Sequence, residues 1–192
     1  AHVLNGLGWL LMQDSLASAG VLTERCAALL AKPMDRTPLA MAESVERALR
    51  HWEQVGIIEQ LHHDGTAYWT FIHKAFTEFT AARYVKALPD EQRADKLGRL
   101  VDQPDWHEVI AFAAGLGLGD EIARLFVERL ASGHLGQIER ALALAGDKDA
   151  EVTDVVVQQL AELAFEAVVG EGGDRFSVGL ALAELAEVHP AI

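Results

Sequence analysis

The stretch from Gly56 to His73, GIIEQLHHDGTAYWTFIH, constrains this chain more than any other. The sequence on either side of it repeats its apolar residues at helical spacing. Inside it the period changes, and two short extended runs flank Asp64-Gly65. Asp-Gly between such runs is a strong local signal for a two-residue β-hairpin. A single hairpin set among helices points to a mainly α fold with one small β element. The composition agrees: Ala, Leu and Glu are abundant and strand-favouring residues are sparse.

Residues 3–18 place Leu4, Leu7, Leu11 and Leu16 near helical spacing. Thr23 is the expected N-cap of a second helix, ERCAALLAK, which Pro33 ends. KPMDRTP reads as a loop. A third helix over 39–54 carries Val45, Leu49 and Trp52 on one face and stops before Gly56. After the hairpin a helix is expected over 74–88. Three helices, a hairpin and a closing helix come close to a winged-helix arrangement, with the hairpin as the wing, and a winged helix is the expectation. The expected division is a helical lead-in over 1–37, a winged-helix domain over 38–88 and an α-helical repeat region over 89–192.

Beyond Pro89 the pattern predicts helices near 90–102, 105–117, 120–131, 135–145, 150–169 and 174–188, with glycine-bearing breaks between most of them. Gly-Asp recurs at 119/120, 146/147 and 173/174, and each Asp is placed to cap the helix after it. Stacked helix pairs of a HEAT-like α-solenoid give such a pattern. An irregular helical bundle is the alternative.

The 192 residues carry a net charge of −13. From 104 to 192 there are 16 acidic and 5 basic residues, a balance of −11; from 38 to 88 there are 6 and 5, a balance of −1. The acidity thus belongs to the C-terminal half. It repels nucleic acid and anionic lipid and suits a basic partner. The single cysteine, Cys26, builds neither a disulfide framework nor a thiolate metal site and fits a reducing cytoplasm. No apolar stretch is long enough to span a bilayer, so no membrane partner is expected. The chain enters an amphipathic helix directly after Ala1, as expected of an excerpt from a longer protein.

No G-x-x-x-x-G-K-[ST] phosphate loop, G-x-S-x-G or H-E-x-x-H occurs. GEGGDRFS (170–177) lacks a lysine and follows a helix, so it reads as a linker; Gly6-Leu7-Gly8 matches no motif. His62-His63-Asp64 sits at a hairpin tip, where adjacent residues seldom converge on one ion. No carboxylate pair stands out, and no enzyme active site is expected within the chain. As a DNA reader the winged helix would be poorly equipped. Its third helix carries three glutamates against two arginines, and the wing has no Lys or Arg to meet phosphates.

The closing segment FIHKAFTEFTAARYV is more specific. Phe71, His73, Phe76, Glu78, Phe79, Ala81, Ala82, Tyr84 and Val85 resemble the pattern F-x-H-x-x-F-Q-E-[FY]-x-A-A-x-[YF]-[LV]. That pattern closes the winged-helix domain of NACHT-type STAND signal-transduction NTPases. Thr77 stands where the family has Gln. Upstream, VERALRHWEQVGIIEQLHHDGTAYWTFIH is similar to the family's lead-in. Downstream, Asp105-Trp106-His107-Glu108-Val109 is similar to the segment that opens the helical region of bacterial members. The detailed resemblance covers 45–109.

The resemblance implies a role for His73. In the family this histidine reaches the β-phosphate of ADP held by the nucleotide-binding domain and latches the closed state. ATP exchange would release it and swing the winged helix away. The missing upstream part would bind ADP or ATP with Mg²⁺ and carry the ATPase chemistry, while this chain would be its regulatory part. The partners implied are the chain's own nucleotide-binding domain in cis, a protein or small-molecule trigger at the helical repeats, and further copies on activation. Antiphage defence is the setting implied by bacterial relatives. From the residues themselves, Phe76, Phe79, Ala82 and Tyr84 are expected to pack the closing helix onto the wing. Trp106 is expected to anchor the first repeat helix against the winged helix, and Glu78 to pair with Lys74, Arg83 or a group in the missing domain. An acidic helical scaffold for protein partners and a winged-helix DNA regulator are the alternative functions.

Overall fold

The structure, a computed structural model, describes residues 1–169 and 175–189. It is mainly helical with one two-stranded antiparallel sheet. The chain divides into two compact units, Ala1–Leu88 and Pro89–Ile192. Residues 1–37 therefore belong to the same unit as the hairpin.

In the first unit, α1 (His2–Gln13) is buried along both sides from Leu4 to Leu11, including Asn5, Gly6 and Gly8. It lies between α2 (Ala19–Ala31) and α4 (Lys74–Lys86). The helix expected over 3–18 ends five residues early, and Leu16 is 82% exposed. A turn at 14–17 intervenes, with the Leu16 amide donating to the Asp14 carboxylate (3.3 Å). Ser18 rather than Thr23 then caps α2, its Oγ accepting from the Val21 amide (3.4 Å). Thr23 lies inside the helix and turns its hydroxyl back to the Ala19 carbonyl (2.7 Å).

Helix α3 (Pro38–Val55) has Thr37 as N-cap, Pro38 in its first turn and Gly56 at φ 78° behind its last. Met41, Val45 and Leu49 form its buried stripe. The hairpin follows as β1 (Ile58–His63) and β2 (Thr66–Phe71), pairing Ile58 with Phe71 and His63 with Thr66. Asp64 and Gly65 both take positive φ, 48° and 74°, as a type I′ turn demands. Ile58, Trp69 and Phe71 are buried, and the strands lie on α2 and α3. The closing helix α4 packs chiefly along α1 rather than on the hairpin. Tyr84 stacks on Trp9 (5.1 Å between rings), whereas Phe76 stays 39% exposed. The apolar α1 needs cover on two sides, and α4 supplies one of them.

The second unit begins with α5 (Asp90–Leu100). A 3₁₀ turn at Pro104–Trp106 leads into α6 (His107–Ala113), where Trp106 is buried. The helix expected over 105–117 breaks into a wide turn at Ala114–Leu118, with Gly117 at φ 93°. Then come α7 (Gly119–Ala131), α8 (Ile138–Gly146), α9 (Asp154–Val169) and α10 (Arg175–Val188). Helix α7 packs most extensively on α9 and α8 on α10, and each also touches its neighbour in sequence. Phe126, Ile122, Leu142, Leu160 and Leu185 fill the core. Arginines stitch the helix ends: Arg129 donates to Asp102 (3.0 Å) and the Gly98 carbonyl (2.7 Å), and Arg93 pairs with Glu121 (2.9 Å).

The Gly-Asp pairs do not share the role their recurrence suggests. Asp147 caps the short 3₁₀ turn Lys148–Ala150. Asp120 lies within the first turn of α7 and caps a different helix, accepting from Thr153 N (3.1 Å) and Oγ1 (2.7 Å) at the start of α9. The pair at 173/174 lies outside the described residues. Asp120→Ala should cost about 1 kcal/mol, the usual worth of a helix cap, read by urea unfolding. Burial pushes the Asp120 carboxyl up, but hydrogen bonds from Thr153 and Arg124 outweigh it and hold the group below its ordinary value. With the folded value depressed, the contribution is whole above about pH 4 and is lost as pH falls through the folded value. The wild type should thus lose stability faster than Asp120→Ala in a titration below that pH.

Candidate functional site

His73 is the N-cap of α4, in extended backbone (φ −144°, ψ 135°) where β2 hands over to the helix. Its Nδ1 accepts from the Ala75 amide at 3.2 Å. The imidazole thus does for this helix what an Asn or Ser would do. A neutral ring with Nδ1 as acceptor carries its proton on Nε2. The exposed ring therefore offers one N–H donor away from the helix. That donor stands at the positive end of the α4 dipole.

Two exposed apolar side chains flank it, Ile72 and Phe76, the latter edge-on to the imidazole at 6.4 Å. Lys74 follows in the first turn, its ammonium 3.0 Å from the Glu78 carboxylate. Glu78 is 5% exposed, so its carboxyl group lies buried under the exposed lysine that meets it. Of the two partners expected for Glu78 within this chain, Lys74 meets it. The sequence carried no signal for the burial of Glu78 or for the His73 tautomer, since both follow from side-chain geometry. Arg83 lies over the half-buried Phe79 ring at 5.9 Å. The one imidazole N–H that His73 presents at this corner fits a contact with a single anionic oxygen.

The other singled-out residues lie apart from this corner. His63 Nε2 is 3.4 Å from Asp64, both strongly exposed, while His62 points to the opposite face of the strand. Among the described residues no group of three His, Cys, Asp or Glu side chains converges for a metal. Gly6 and Gly8 serve close helix packing. Cys26 is fully buried, its thiol pushed up to about 12 by burial, with Sγ donating towards the Val3 carbonyl (3.7 Å). On α3, Arg50 is paired with Glu46. Arg140 is half-buried and donates to the Val101 carbonyl (2.9 Å) and Gln137 (2.8 Å), closing the end of α5. Residues 170–174 of the glycine-rich segment lie outside the described residues. Among the described residues no helix is long and apolar enough to cross a membrane.

No protein-family model, no curated protein and no solved structure matches this chain.

Proposed function

We propose that this chain is the regulatory segment of a NACHT-type STAND ATPase, in which His73 latches ADP held by a nucleotide-binding domain elsewhere in the parent protein. In this reading residues 38–88 form the winged helix, with α3 as its third helix and β1–β2 as its wing. Residues 89–192 are the first HEAT-like repeats of a sensor. The alternation of α7 on α9 and α8 on α10 supports the repeat reading, because stacked helix pairs bring every second helix together.

The observation that carries the proposal is the orientation of the histidine. Its Nδ1 is committed to the Ala75 amide, so its other nitrogen is fixed as an outward donor at a helix N-terminus, where phosphate is favoured. The donor can hold a phosphate oxygen without doing chemistry on it, as a latch must. The chain supplies one contact and no phosphate loop, so the parent's nucleotide-binding domain would supply the remaining grip, the Mg²⁺ and the hydrolysis. Exchange of ADP for ATP would free His73, and the released winged helix would open the molecule for assembly and signalling in the cytoplasm.

The test uses the full-length parent. A charge-assisted hydrogen bond to phosphate is worth about 1.5–3 kcal/mol. His73→Ala should therefore cut retention of co-purified ADP by about ten- to a hundred-fold and raise basal activity. His73→Asn keeps an N-cap but shortens the reach, so it should lose ADP while keeping the stability that the alanine variant loses. Wild-type ADP retention in both variants would reduce His73 to a helix cap. A DNA-binding reading gains nothing from these surfaces, since the hairpin presents Glu59 and Asp64 and no lysine or arginine.

A further inference from the structure

The second unit carries a cleft of about 550 Å³ between α8 and α10. That volume lies within the roughly 300–1,000 Å³ range of binding sites. Leu142 and Leu185 are buried at its floor. On α10, Leu180, Glu184 and Val188 stand four residues apart and so share one face of the helix. Leu180 is 55% exposed. On α8, Glu139, Ala143 and Gly146 stand four and three residues apart and likewise share one face, and Gly146 leaves that wall open because it has no side chain.

The charge of the lining is one-sided. Glu139 and Glu184 contribute it, one from each wall, and no Lys, Arg or His joins them. Among the described residues neither carboxylate has a cationic partner. An apolar trough edged by two unpaired carboxylates complements a helix with an apolar stripe and basic flanks. The −11 balance of residues 104–192 adds long-range attraction for such a segment. A second copy of this chain is disfavoured as occupant, because it brings a net −13 and the same two glutamates. Anionic lipid and nucleic acid are repelled for the same reason.

We propose that the α8–α10 trough docks a basic amphipathic helix of a partner protein, with apolar side chains seated against Ala143, Leu180 and Val188 and with Lys or Arg residues against Glu139 and Glu184. The inference stands apart from the nucleotide reading, and its failure would leave His73 untouched.

The probe is a labelled synthetic Leu/Lys helix of about 14 residues, its leucines at i, i+3, i+4 and i+7. Its affinity for the intact chain is read by fluorescence anisotropy near 0.15 M salt, beside a Leu/Glu counterpart. The Leu/Lys peptide should bind and the Leu/Glu peptide should not. Glu139→Lys/Glu184→Lys should weaken binding at least about ten-fold. Glu128→Lys/Glu166→Lys makes the same change in net charge at exposed positions outside the cleft and should leave affinity within about two-fold. Leu180→Asp, on the apolar wall, should weaken binding as the charge reversal does and replaces it if that variant fails to fold. Equal loss in both charge-reversed pairs would reduce the binding to general electrostatics and overturn the proposal. So would absence of binding, or equal binding of the Leu/Glu peptide.

Discussion

Gly119→Ala is expected to destabilise the second unit by about 3 kcal/mol, at the upper end of what one extra methyl costs in a packed interior. A Cβ at Gly119 would overlap the Ala150 carbonyl oxygen and stand 2.7 Å from its carbonyl carbon. Both neighbours are backbone, so no side chain can rotate out of the way. The Ala150 segment is pinned as well: Glu151 takes a positive φ of 51° next to it, and Thr153 is tied to Asp120 two residues later. Relief would have to come from moving α7 away from the turn that leads into α9, which breaks the Asp120 cap. Gly98→Ala is the matched control, because Gly98 sits inside α5 with nothing within 4 Å of an added methyl. A helix glycine with open space at its Cβ position, replaced by alanine, should gain about 0.5–1 kcal/mol. Urea unfolding gives the two signs, and amide exchange in α7 and α9 locates the loss. A Gly119→Ala protein as stable as wild type would mean that the start of α7 and the Ala150 backbone are not in contact.

Where local chemistry decides the outcome, the sequence could be read directly. The hairpin was legible because Asp64-Gly65 satisfies a backbone requirement within two residues. The ends of α3 were legible to within a residue, since Thr37, Pro38 and Gly56 act on their own helix. The break after Gln13 was not. Asp14 and Ser15 are tolerated in helices, and Leu16 continues the apolar period by coincidence, although it faces solvent. Ser18 and Thr23 are both adequate caps, and only the position of that break chooses between them. Asp120 was assigned to the wrong helix for a related reason. Its true partner is 33 residues away, and nothing local to Gly-Asp reports it.

The candidate site was legible in one respect. The start of α4 could be placed at residue 74, which put an unusual histidine at the cap. That the ring commits Nδ1 to its own helix depends on a rotamer, which no spacing encodes. The aromatic residues misled more. Phe76 and Phe79 suggested a face turned to the hairpin, whereas the face that packs deepest carries Ala81, Ala82 and Val85. Ala82 was expected on the packing face, and Ala81 and Val85 join it because small residues allow close approach between helices.

Gly8→Ala should cost about 3 kcal/mol for the same reason, now between two helices. Gly6 and Gly8 are two residues apart, about 200° around the helix, so they face opposite neighbours. Gly6 looks towards Cys26 Sγ (3.2 Å from an added Cβ) and Leu29 on α2. Side chains there can give by a few tenths of an ångström, and Gly6→Ala should cost less than about 1 kcal/mol. Gly8 looks towards α4, where a Cβ would overlap Thr80 Oγ1, approach the Thr77 carbonyl oxygen to 2.8 Å and reach the Thr80 Cβ at 3.0 Å. The Thr80 hydroxyl is not free to swing aside, since it donates to the Phe76 carbonyl at 2.6 Å. Removing it in Gly8→Ala/Thr80→Ala should recover only part of the loss, because the backbone oxygen and the Thr80 Cβ position remain. The residual deficit, measured as the difference between the double variant and Thr80→Ala alone, isolates the backbone contact. Full recovery would assign the whole effect to the hydroxyl. Partial recovery means that α1 holds the backbone of α4 one turn from His73, so the position of the histidine is set by a contact between two helix backbones.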